Sequence, residues 1–405
     1  MLNRIFTGFF LVALVSALVQ ALVLGHHGVF GAMTAAAFDM AKTGFEIALG
    51  LTGVMCLWLG FMKLGEAGGL VDLLARAFAP LMRRLFPSVP AGHPAEGAII
   101  MNMAANALGL DNAATPLGLK AMRELQSLNP SRDTASDDQI LFLVINTSSV
   151  TLLPVTIFAY RAQMGAADPT DVFLPILIAT FCSTLAGLMV TAAVQRRNLL
   201  QPVILGYLGA MTLVIAGLTV WFAGMTREAV ETTSSLIANV LLVLVMVGFV
   251  TAAARRGAPV YESFVVGAKE GFNVAVGIIP YLVAMLVGIG VLRASGALDL
   301  LLDGIRLVVG DAAWVDAVPT ALMKPLSGSG ARGMLIETMQ VHGADSFVGR
   351  VASVMQGSTE TTFYVLAVYF GSVGIRRTRH AAPCGLAADL AGITAAILVC
   401  YLFFG

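Results

Sequence analysis

Charged residues are scarce in this chain. They make up 12% of its 405 residues, whereas hydrophobic residues make up 58% and the mean hydropathy is +0.86. A soluble domain carries about 25% charge, so this chain has too few charges to cover a surface that faces water. The formal net charge of zero argues against nucleic acid as a partner. The composition predicts an all-α polytopic membrane protein surrounded by the lipid bilayer.

Cysteine and histidine are also rare, and neither forms a recognisable pattern. The four cysteines all lie in apolar runs, where they are expected to be small buried hydrophobes: Cys56, Cys182, Cys384 and Cys400. None has the spacing of metal ligands, and the five histidines form no metal-binding helix motif. The chain has no phosphate-binding loop of the ATPase type and no evident nucleophile triad. The sequence therefore predicts no metal, no cofactor and no enzymatic activity.

The chain does contain related stretches in its two halves. Residues 41–50 recur at 268–277, a shift of 227 positions that places Lys42 on Lys269, and residues 144–155 recur at 354–365, with Ser148 on Ser358. Duplicated hydrophobic halves are typical of transporter folds. Four regions follow from the repeats: an N-terminal signal-anchor helix at 1–30, a first repeat at 31–200, linking helices at 201–257 and a second repeat at 258–405.

Hydropathy predicts about nine spanning helices. They are centred on residues 5–24, 45–64, 139–160, 172–194, 203–224, 235–253, 272–291, 350–370 and 384–404. Two apolar stretches, 98–119 and 318–341, are interrupted by Gly, Pro and polar residues and are predicted to be re-entrant. An amphipathic segment precedes each of them, at 70–86 and 298–309.

The distribution of Lys and Arg over the short loops predicts the orientation. If Arg4 is cytoplasmic and the broken stretches do not cross, the clusters at Arg83, Arg196, Arg255 and Arg376 all fall inside. The copies 45–64 and 272–291 then run in opposite directions, so the two repeats are inverted. The expected location is the bacterial cytoplasmic (inner) membrane. A repeat fold of this size is also compatible with a homodimer.

Inverted repeats usually place a binding site on interrupted helices near the membrane midplane. Four polar segments fit this description, and their residues are the predicted substrate-binding set: Asn102, Asn106, Asn112, Thr115, Asn146, Thr147, Ser148, Ser149, Lys324, Ser327, Ser329, Arg332, Gln356, Ser358, Thr359, Glu360 and Thr361. Asn102 and Asn106 are four residues apart and share a helix face. Thr115 before Pro116 predicts a helix N-cap. Interhelical amide bonds are the alternative role for these residues.

The second and third segments predict exposed backbone. In residues 324–333, glycines open a helix whose N–H groups attract anions, and Lys324 and Arg332 add positive charge. A surface turn with solvated cations is the alternative. In residues 144–151, successive hydroxyls can bond back to the backbone and bend the helix, and Pro154 follows.

Glu360, in the fourth segment, is the most informative single residue. A carboxylate inside a span normally faces a cavity, titrates or pairs with a cation. Glu360 with Thr151 is therefore predicted to bind a coupling proton or sodium ion. A structural pair with Lys324 or Arg332 is the alternative. Asp389 and Glu46 are assigned helix-end or structural roles.

Several runs resemble a known pair of proteins. The first half resembles spore maturation protein A at 57–63 (LWLGFMK), 112–122 and 146–150, and the second resembles spore maturation protein B at 325–330, 353–363 (SVMQGSTETTF) and 369–377. The resemblance covers nearly the whole chain. It implies membership of the gate, or nucleoside-recognition, superfamily that includes concentrative nucleoside transporters. Those carry a Gly-Gln-Thr-Glu run, whereas this chain has a similar content in a different order at 356–360.

The leading interpretation is an ion-coupled secondary transporter of a small polar or anionic solute, with its site at the interface of two inverted repeats. The first alternative is a non-transporting membrane scaffold that binds a partner in cell-envelope or spore-cortex assembly. The second is an intramembrane enzyme acting on lipid-linked precursors.

Overall fold

The computed structural model describes residues 2–108 and 111–405, apart from the side chains of a few helical residues. Helices make up nearly all of the secondary structure in this part of the chain. Their bounds are α1 Leu2–Leu22, α2 Val29–Ala67, α3 Leu70–Leu85, α4 Pro94–Ala107, α5 Asp111–Ser127, α6 Asp137–Thr147, α7 Val155–Gln163, α8 Phe173–Gln195, α9 Pro202–Ala223, α10 Arg227–Arg255, α11 Val260–Ala294, α12 Ala297–Val309, α13 Val318–Met323, α14 Gly328–His342, α15 Phe347–Gly357, α16 Thr362–Ser372 and α17 Ala381–Phe404.

Within the described residues, six helices are long and apolar enough to cross a membrane: Val29–Ala67, Phe173–Gln195, Pro202–Phe222, Thr232–Arg255, Val260–Ala294 and Ala381–Phe404. Phe6–Leu22 is a shorter apolar helix. These seven correspond to seven of the nine predicted spans. The prediction of an all-α polytopic membrane protein is therefore confirmed.

The other two predicted spans are wrong as continuous helices. Residues 139–160 form α6 and α7 with a break at 148–154, and residues 350–370 form α15 and α16 with a break at 358–361. We call these two non-helical stretches the break segments. The mean hydropathy over a window of residues does not reveal such a break, because hydroxyl residues and glycine lower that mean only slightly.

The two predicted amphipathic segments form the helices α3 and α12. Each begins after a glycine with positive φ, Gly69 at 72° before α3 and Gly296 at 68° before α12. That backbone conformation favours glycine, so the chain turns sharply from a long spanning helix, α2 or α11, into its amphipathic follower.

The order of helices is the same in both halves. A long helix, an amphipathic helix, a helix pair, a broken helix and a final long helix occur as α2 to α8 and again as α11 to α17. The helix pairs are α4–α5 and α13–α14, and the two helices of each pair pack against each other. We call them the first and second hairpin. The opposite orientation of the halves stays a prediction.

The chain forms two compact units. Unit 1 contains residues 1–59, 156–169 and 268–356, and unit 2 contains residues 60–155, 170–267 and 357–405. Unit 2 holds the first hairpin with α6 and α16, and its core includes Phe142, Met122 and Phe370. Unit 1 holds the second hairpin with α7 and α15, and smaller clusters around Ile289 and Leu302 form its core.

Candidate functional site

The two break segments are joined within unit 2. The amide N–H of Glu360 donates to the carbonyl oxygen of Thr147 at 2.7 Å, so the last residue of α6 is tied to the chain two residues before α16 begins. The amide of Leu152 donates to the carbonyl of Ala107, the last residue of α4, at 2.8 Å. Each non-helical segment thus finds part of its backbone partners on another element. Such irregular backbone at membrane depth requires protein or a water-filled cavity around it.

Local chemistry explains why α6 ends at Thr147. The hydroxyls of Thr147 and Ser148 both donate to the carbonyl of Val144, at 3.0 and 2.8 Å. The Ser148 amide also donates to that carbonyl, at 3.1 Å, so three donors meet at the last turn of α6, and such side-chain bonds favour a bend. Pro154 lacks an N–H and disfavours helix in the residue before it, so α7 resumes only at Val155. The predicted bend is therefore a complete break.

Three asparagines form a buried amide cluster beside the break. The Asn102 side-chain oxygen accepts from Asn146 at 2.6 Å and from Asn106 at 3.3 Å, and its nitrogen donates to the carbonyl of Ala114 at 2.7 Å. Asn102 is fully buried and Asn146 is 3% exposed. We call Asn102, Asn106 and Asn146 the amide cluster. It confirms that Asn102 and Asn106 share a helix face, and it joins α4, α5 and α6.

Tyr369 in α16 also contacts the amide cluster, although the sequence did not predict it as a site residue. Its hydroxyl interacts with Asn102 and Asn146, and its ring stacks on Phe142 with centroids 6.1 Å apart. A Cβ at Gly118 would lie 2.2 Å from the Tyr369 hydroxyl, so α5 needs a glycine there. The one feature of the sequence that points to Tyr369 is its place in the run 369–377, which carries the family resemblance.

Helices α8 and α17 pack against the break segments. The Thr184 hydroxyl donates to the carbonyl of Ser148, and the Ser183 hydroxyl donates to the carbonyl of Ala388 at 2.9 Å. The Thr362 hydroxyl donates to a carboxylate oxygen of Asp389 at 2.7 Å. Asp389 is 1% exposed and helps hold the start of α16, which agrees with its predicted structural role. Ser183 and Thr184 went unnoticed because isolated hydroxyls in an apolar helix give no pattern.

Glycines allow this close approach. A Cβ at Gly392 would lie 2.8 Å from the Thr359 side chain and 3.0 Å from Ser183, while one at Gly187 would lie 2.9 Å from the Ala388 side chain. Glycines of α8 and α17 therefore let these helices pack closely on each other and on the break segments, as small residues allow in membrane proteins.

Thr359, in the break segment 358–361, has a polar side-chain atom without a hydrogen-bond partner among the described residues. Thr359 is 4% exposed, and its hydroxyl has no hydrogen-bond partner in the part of the chain described. Buried polar groups normally have partners, so the hydroxyl is available to water, an ion or a solute. The neighbouring Glu360 side chain is exposed, and its carboxylate can therefore meet a solute or ion without first losing a buried partner.

The second hairpin, in unit 1, differs in chemistry. The Ser327 hydroxyl accepts from the Gly330 amide at 3.0 Å and lies 3.3 Å from the Ser329 hydroxyl, so the predicted glycine-rich helix start is confirmed at α14. Lys324 is 4% exposed. Arg332 is half-buried. The side-chain oxygen of Gln356 is buried with no hydrogen-bond partner among the residues described.

Two arginines in unit 1 make interactions that hydropathy did not predict. Arg293 at the end of α11 forms an ion pair with Glu337 of α14, which is 4% exposed. Arg161 is fully buried and donates to the carbonyl of Ala344 at 2.7 Å and to Asp345 at 3.1 Å. Both arginines are therefore engaged by carboxylate or carbonyl groups of unit 1.

The predicted N-cap role of Thr115 is wrong, and the side chain of Asn112 is not described. Thr115 is not a helix N-cap, because α5 begins four residues earlier at Asp111 and includes Pro116. Pro116 is the sixth residue of α5 and removes one intrahelical hydrogen bond there. The side chain of Asn112 lies outside the described part of the structure. Among the described residues, no three His, Cys, Asp or Glu side chains form a metal-binding group.

The predicted site residues therefore fall into separate groups. Unit 1 contains Lys324, Ser327, Ser329, Arg332 and Gln356, and unit 2 contains Asn102, Asn106, Thr115, Asn146, Thr147, Ser148, Ser149, Thr151, Ser358, Thr359, Glu360 and Thr361. Hydrogen bonds join the three asparagines to one another and Glu360 to Thr147, and a 3.3 Å contact joins the hydroxyls of Ser327 and Ser329.

Spanning helices, a duplicated helix order and two helices broken at polar segments define a multi-pass membrane protein with a polar site at the breaks. The Gate family, described as nucleoside recognition, matches residues 48–164 and 275–376. The two matched segments together cover more than half of the chain, and each contains one hairpin and one broken helix. The chain belongs to this family.

Two Bacillus subtilis proteins are similar to parts of the chain. Spore maturation protein B is 48% identical over 168 residues, which is 41% of this chain and 93% of that protein. Spore maturation protein A is 43% identical over 155 residues, which is 38% of this chain and 79% of that protein. The predicted resemblance to both proteins is therefore confirmed. No solved structure matches the chain.

Proposed function

We propose that this protein is a secondary transporter of a small polar solute across the bacterial cytoplasmic membrane, coupled to a proton or sodium ion. One observation carries the proposal: two helices of a membrane protein are interrupted at polar segments that meet through the Glu360–Thr147 hydrogen bond. Interrupted helices are costly at membrane depth. In transporters they supply the backbone and side-chain groups that bind solute and ion.

The amide cluster is suited to neutral polar groups. Each asparagine offers both a donor and an acceptor, and the Asn106 bond to Asn102 is long at 3.3 Å. A solute with adjacent donors and acceptors, such as a nucleobase edge, can replace that bond. The description of the Gate family as nucleoside recognition makes nucleosides the first solutes to test.

Glu360 is the proposed coupling residue, with Thr151 and the Thr359 hydroxyl as neighbouring oxygen donors along the break segments. Carboxylate and hydroxyl oxygens suit hard cations, and a carboxylate also accepts a proton. Lys324 and Arg332 stay the predicted ligands of any anionic group on the solute. The proposal includes no covalent chemistry, so we expect transport without catalysis.

The test is ligand-dependent thermal stability of the purified full-length protein. Nucleosides, amino acids, organic acids, phosphorylated sugars and dipicolinate are added with and without sodium at two pH values. A solute that binds only the folded state must raise its stability, by about 2.7 kcal/mol at one hundred times the Kd. We expect one class to give a sodium- or pH-dependent shift.

Variants separate coupling from binding. Glu360→Gln should remove the ion dependence, and Asn146→Ala should weaken the solute shift itself. The matched control is Glu262→Gln, because Glu262 is an exposed glutamate in the first turn of α11. No shift with any solute, in a protein that folds normally, would instead favour the membrane scaffold suggested by the names of the two spore maturation relatives. A normal ion-dependent response in Glu360→Gln would overturn its coupling role.

A further inference from the structure

Helix α3 lies at the ends of several spanning helices. It follows α2 after a two-residue turn, and its Asp72 pairs at 3.4 Å with Arg256, just beyond the end of α10. At the other end of α3, the carbonyl of Leu85 accepts at 2.6 Å from Arg197, in the loop between α8 and α9. Spanning helices end where the hydrocarbon gives way to water. Helix α3 therefore lies at one boundary of the bilayer.

The two faces of α3 differ sharply. Met82 and Leu85 are buried in the core of unit 2, and Phe78 packs against them. Arg76, Arg83 and Arg84 are exposed. A helix with one apolar face and a basic polar face is suited to lie in the plane of a membrane interface.

Positive charge accumulates at this boundary. Arginines from the helix ends and loops around α3 join those of α3 itself: Arg196, Arg197, Arg255 and Arg256. Three acidic residues here are paired: Asp72 with Arg256, Asp138 with Arg197 and Glu96 with Arg83. The surface therefore has more arginines than carboxylates, which favours an anionic headgroup and the cytoplasmic leaflet.

An apolar cavity lies next to this charge. Its volume is about 150 Å³, and its walls include Met82, Phe86, Val89 and Ile99, with the Arg83–Glu96 pair among them. The Arg83 guanidinium bonds Glu96 and holds the pKa of that carboxyl below its usual range. Glu96 thus stays charged near neutral pH and fixes Arg83 at the cavity.

Helix α12 occupies the same position in the second repeat and lacks this character. It carries Asp299 and Asp303, and its one arginine, Arg306, is held by Asp303 and Asp316 at 3.0 and 2.7 Å. The basic face of α3 is therefore a property of this helix and not of amphipathic helices in this fold generally.

We propose that α3 binds an anionic phospholipid of the bilayer, with the headgroup phosphate at Arg76, Arg83 and Arg84 and part of the hydrocarbon in the cavity beside Arg83. The site is separate from the break segments and does not depend on transport. Its bound lipid would hold α3 and the first hairpin in place, since Glu96 of α4 joins both.

The experiment is a thermal-shift titration of the purified full-length protein in neutral detergent. Short-chain phosphatidylglycerol, phosphatidylcholine of the same chain length and inorganic phosphate are compared. We expect phosphatidylglycerol to give the largest stabilisation. In the double variant Arg76→Gln/Arg84→Gln its apparent affinity should fall roughly 30-fold, since each arginine near an anionic surface contributes about 1 kcal/mol. Lys42→Gln, an exposed lysine on α2, is the control that should retain the full response.

Three results would overturn the proposal. Equal stabilisation by phosphatidylcholine would show a detergent-like effect, and a full shift from phosphate alone would show a site for a free anion. An unchanged response in the double variant would remove the arginines from the site. If that variant does not fold, the salt dependence of the unmodified protein is measured instead. The thermal shift given by phosphatidylglycerol must shrink as the sodium chloride concentration is raised. A salt-independent thermal shift contradicts an electrostatic headgroup site.

Discussion

The two hairpins occupy the same place in the helix order, yet they are held by different chemistry. In unit 2, the first hairpin is held by the amide cluster, a set of neutral side chains around the fully buried Asn102. In unit 1, the second hairpin is held by the Arg293–Glu337 ion pair and contains the buried Lys324. Duplication therefore preserved the sequence of helices and not the interactions that hold them.

This difference bears on function. Neutral amides can exchange one hydrogen-bond partner for another at a small free-energy difference, because the net contribution of each bond is about 1 kcal/mol. A buried ion pair cannot exchange so easily, since either partner left alone is strongly destabilising. We therefore expect the amide cluster of the first hairpin to respond to a neutral group of a solute, and the Arg293–Glu337 pair of the second hairpin to serve mainly as a support.

The largest effect should come from Asn102→Leu. This change leaves the Asn146 amide and the Ala114 carbonyl without their partners, and each unsatisfied buried group costs about 1–3 kcal/mol. We expect a loss of about 3 kcal/mol in the free energy of unfolding, measured by denaturant titration in detergent. Asn106→Leu is the control, because it removes a single 3.3 Å bond and should cost under about 1 kcal/mol. Equal losses would show that the amide cluster is not centred on Asn102.

The second hairpin should behave differently in a double-mutant cycle. Glu337→Met should cost about 3 kcal/mol, because it leaves the Arg293 guanidinium without its carboxylate. The double variant Arg293→Met/Glu337→Met should recover to within about 1 kcal/mol of the original protein, since apolar residues often replace a buried pair without loss. If the double variant is as unstable as the single one, the pair contributes specific positioning that packing cannot supply.

Particular residues show how far the sequence predicts this architecture. The spans, the amphipathic helices and the duplicated order follow from hydropathy and repetition, which are properties of whole segments. The amide pair Asn102 and Asn106 and the helix start at Ser327 follow from local spacing. The sequence predicts only a bend at Ser148 and a continuous span around Ser358, because the balance between helix and break depends on partners from α4, α8 and α17. Tyr369 was missed since its partners are distant in sequence.

The glycines of α8 and α17 provide a third test, smaller in effect. Gly392→Ala places a methyl group 2.8 Å from Thr359 and 3.0 Å from Ser183, so it should destabilise unit 2 by about 2 kcal/mol through overpacking. Gly209→Ala in α9 is the control, because a Cβ there meets nothing within 4 Å. Alanine is the better helix former, so the control should be neutral or slightly stabilising. A neutral Gly392→Ala would mean that α17 does not pack tightly on the break segments.

The smallest expected effect is a pH dependence of the free energy of unfolding that arises in unit 2 and not in unit 1. His380 lies just before α17 in unit 2, where burial first, and the charge of Arg379 second, lower its pKa from the ordinary value of 6.5, while Asp137 opposes them. The fold thus favours neutral His380, and the unfolded chain binds more protons just below pH 6.5. Its contribution to stability is complete above pH 6.5 and is lost as the pH falls through the lowered pKa of the folded state.

The measurement is the pH dependence of unfolding free energy between pH 7.5 and 5.5, roughly the range in which a histidine titrates. His380→Gln should flatten the decline at the acid end, because glutamine can still accept or donate in place of the ring nitrogen that lies 3.0 Å from Gln195. His342→Gln, at the end of α14 in unit 1, is the matched control and should leave the decline unchanged. If both variants flatten it equally, the acid sensitivity belongs to the protein as a whole, and pH does not distinguish unit 2 from unit 1.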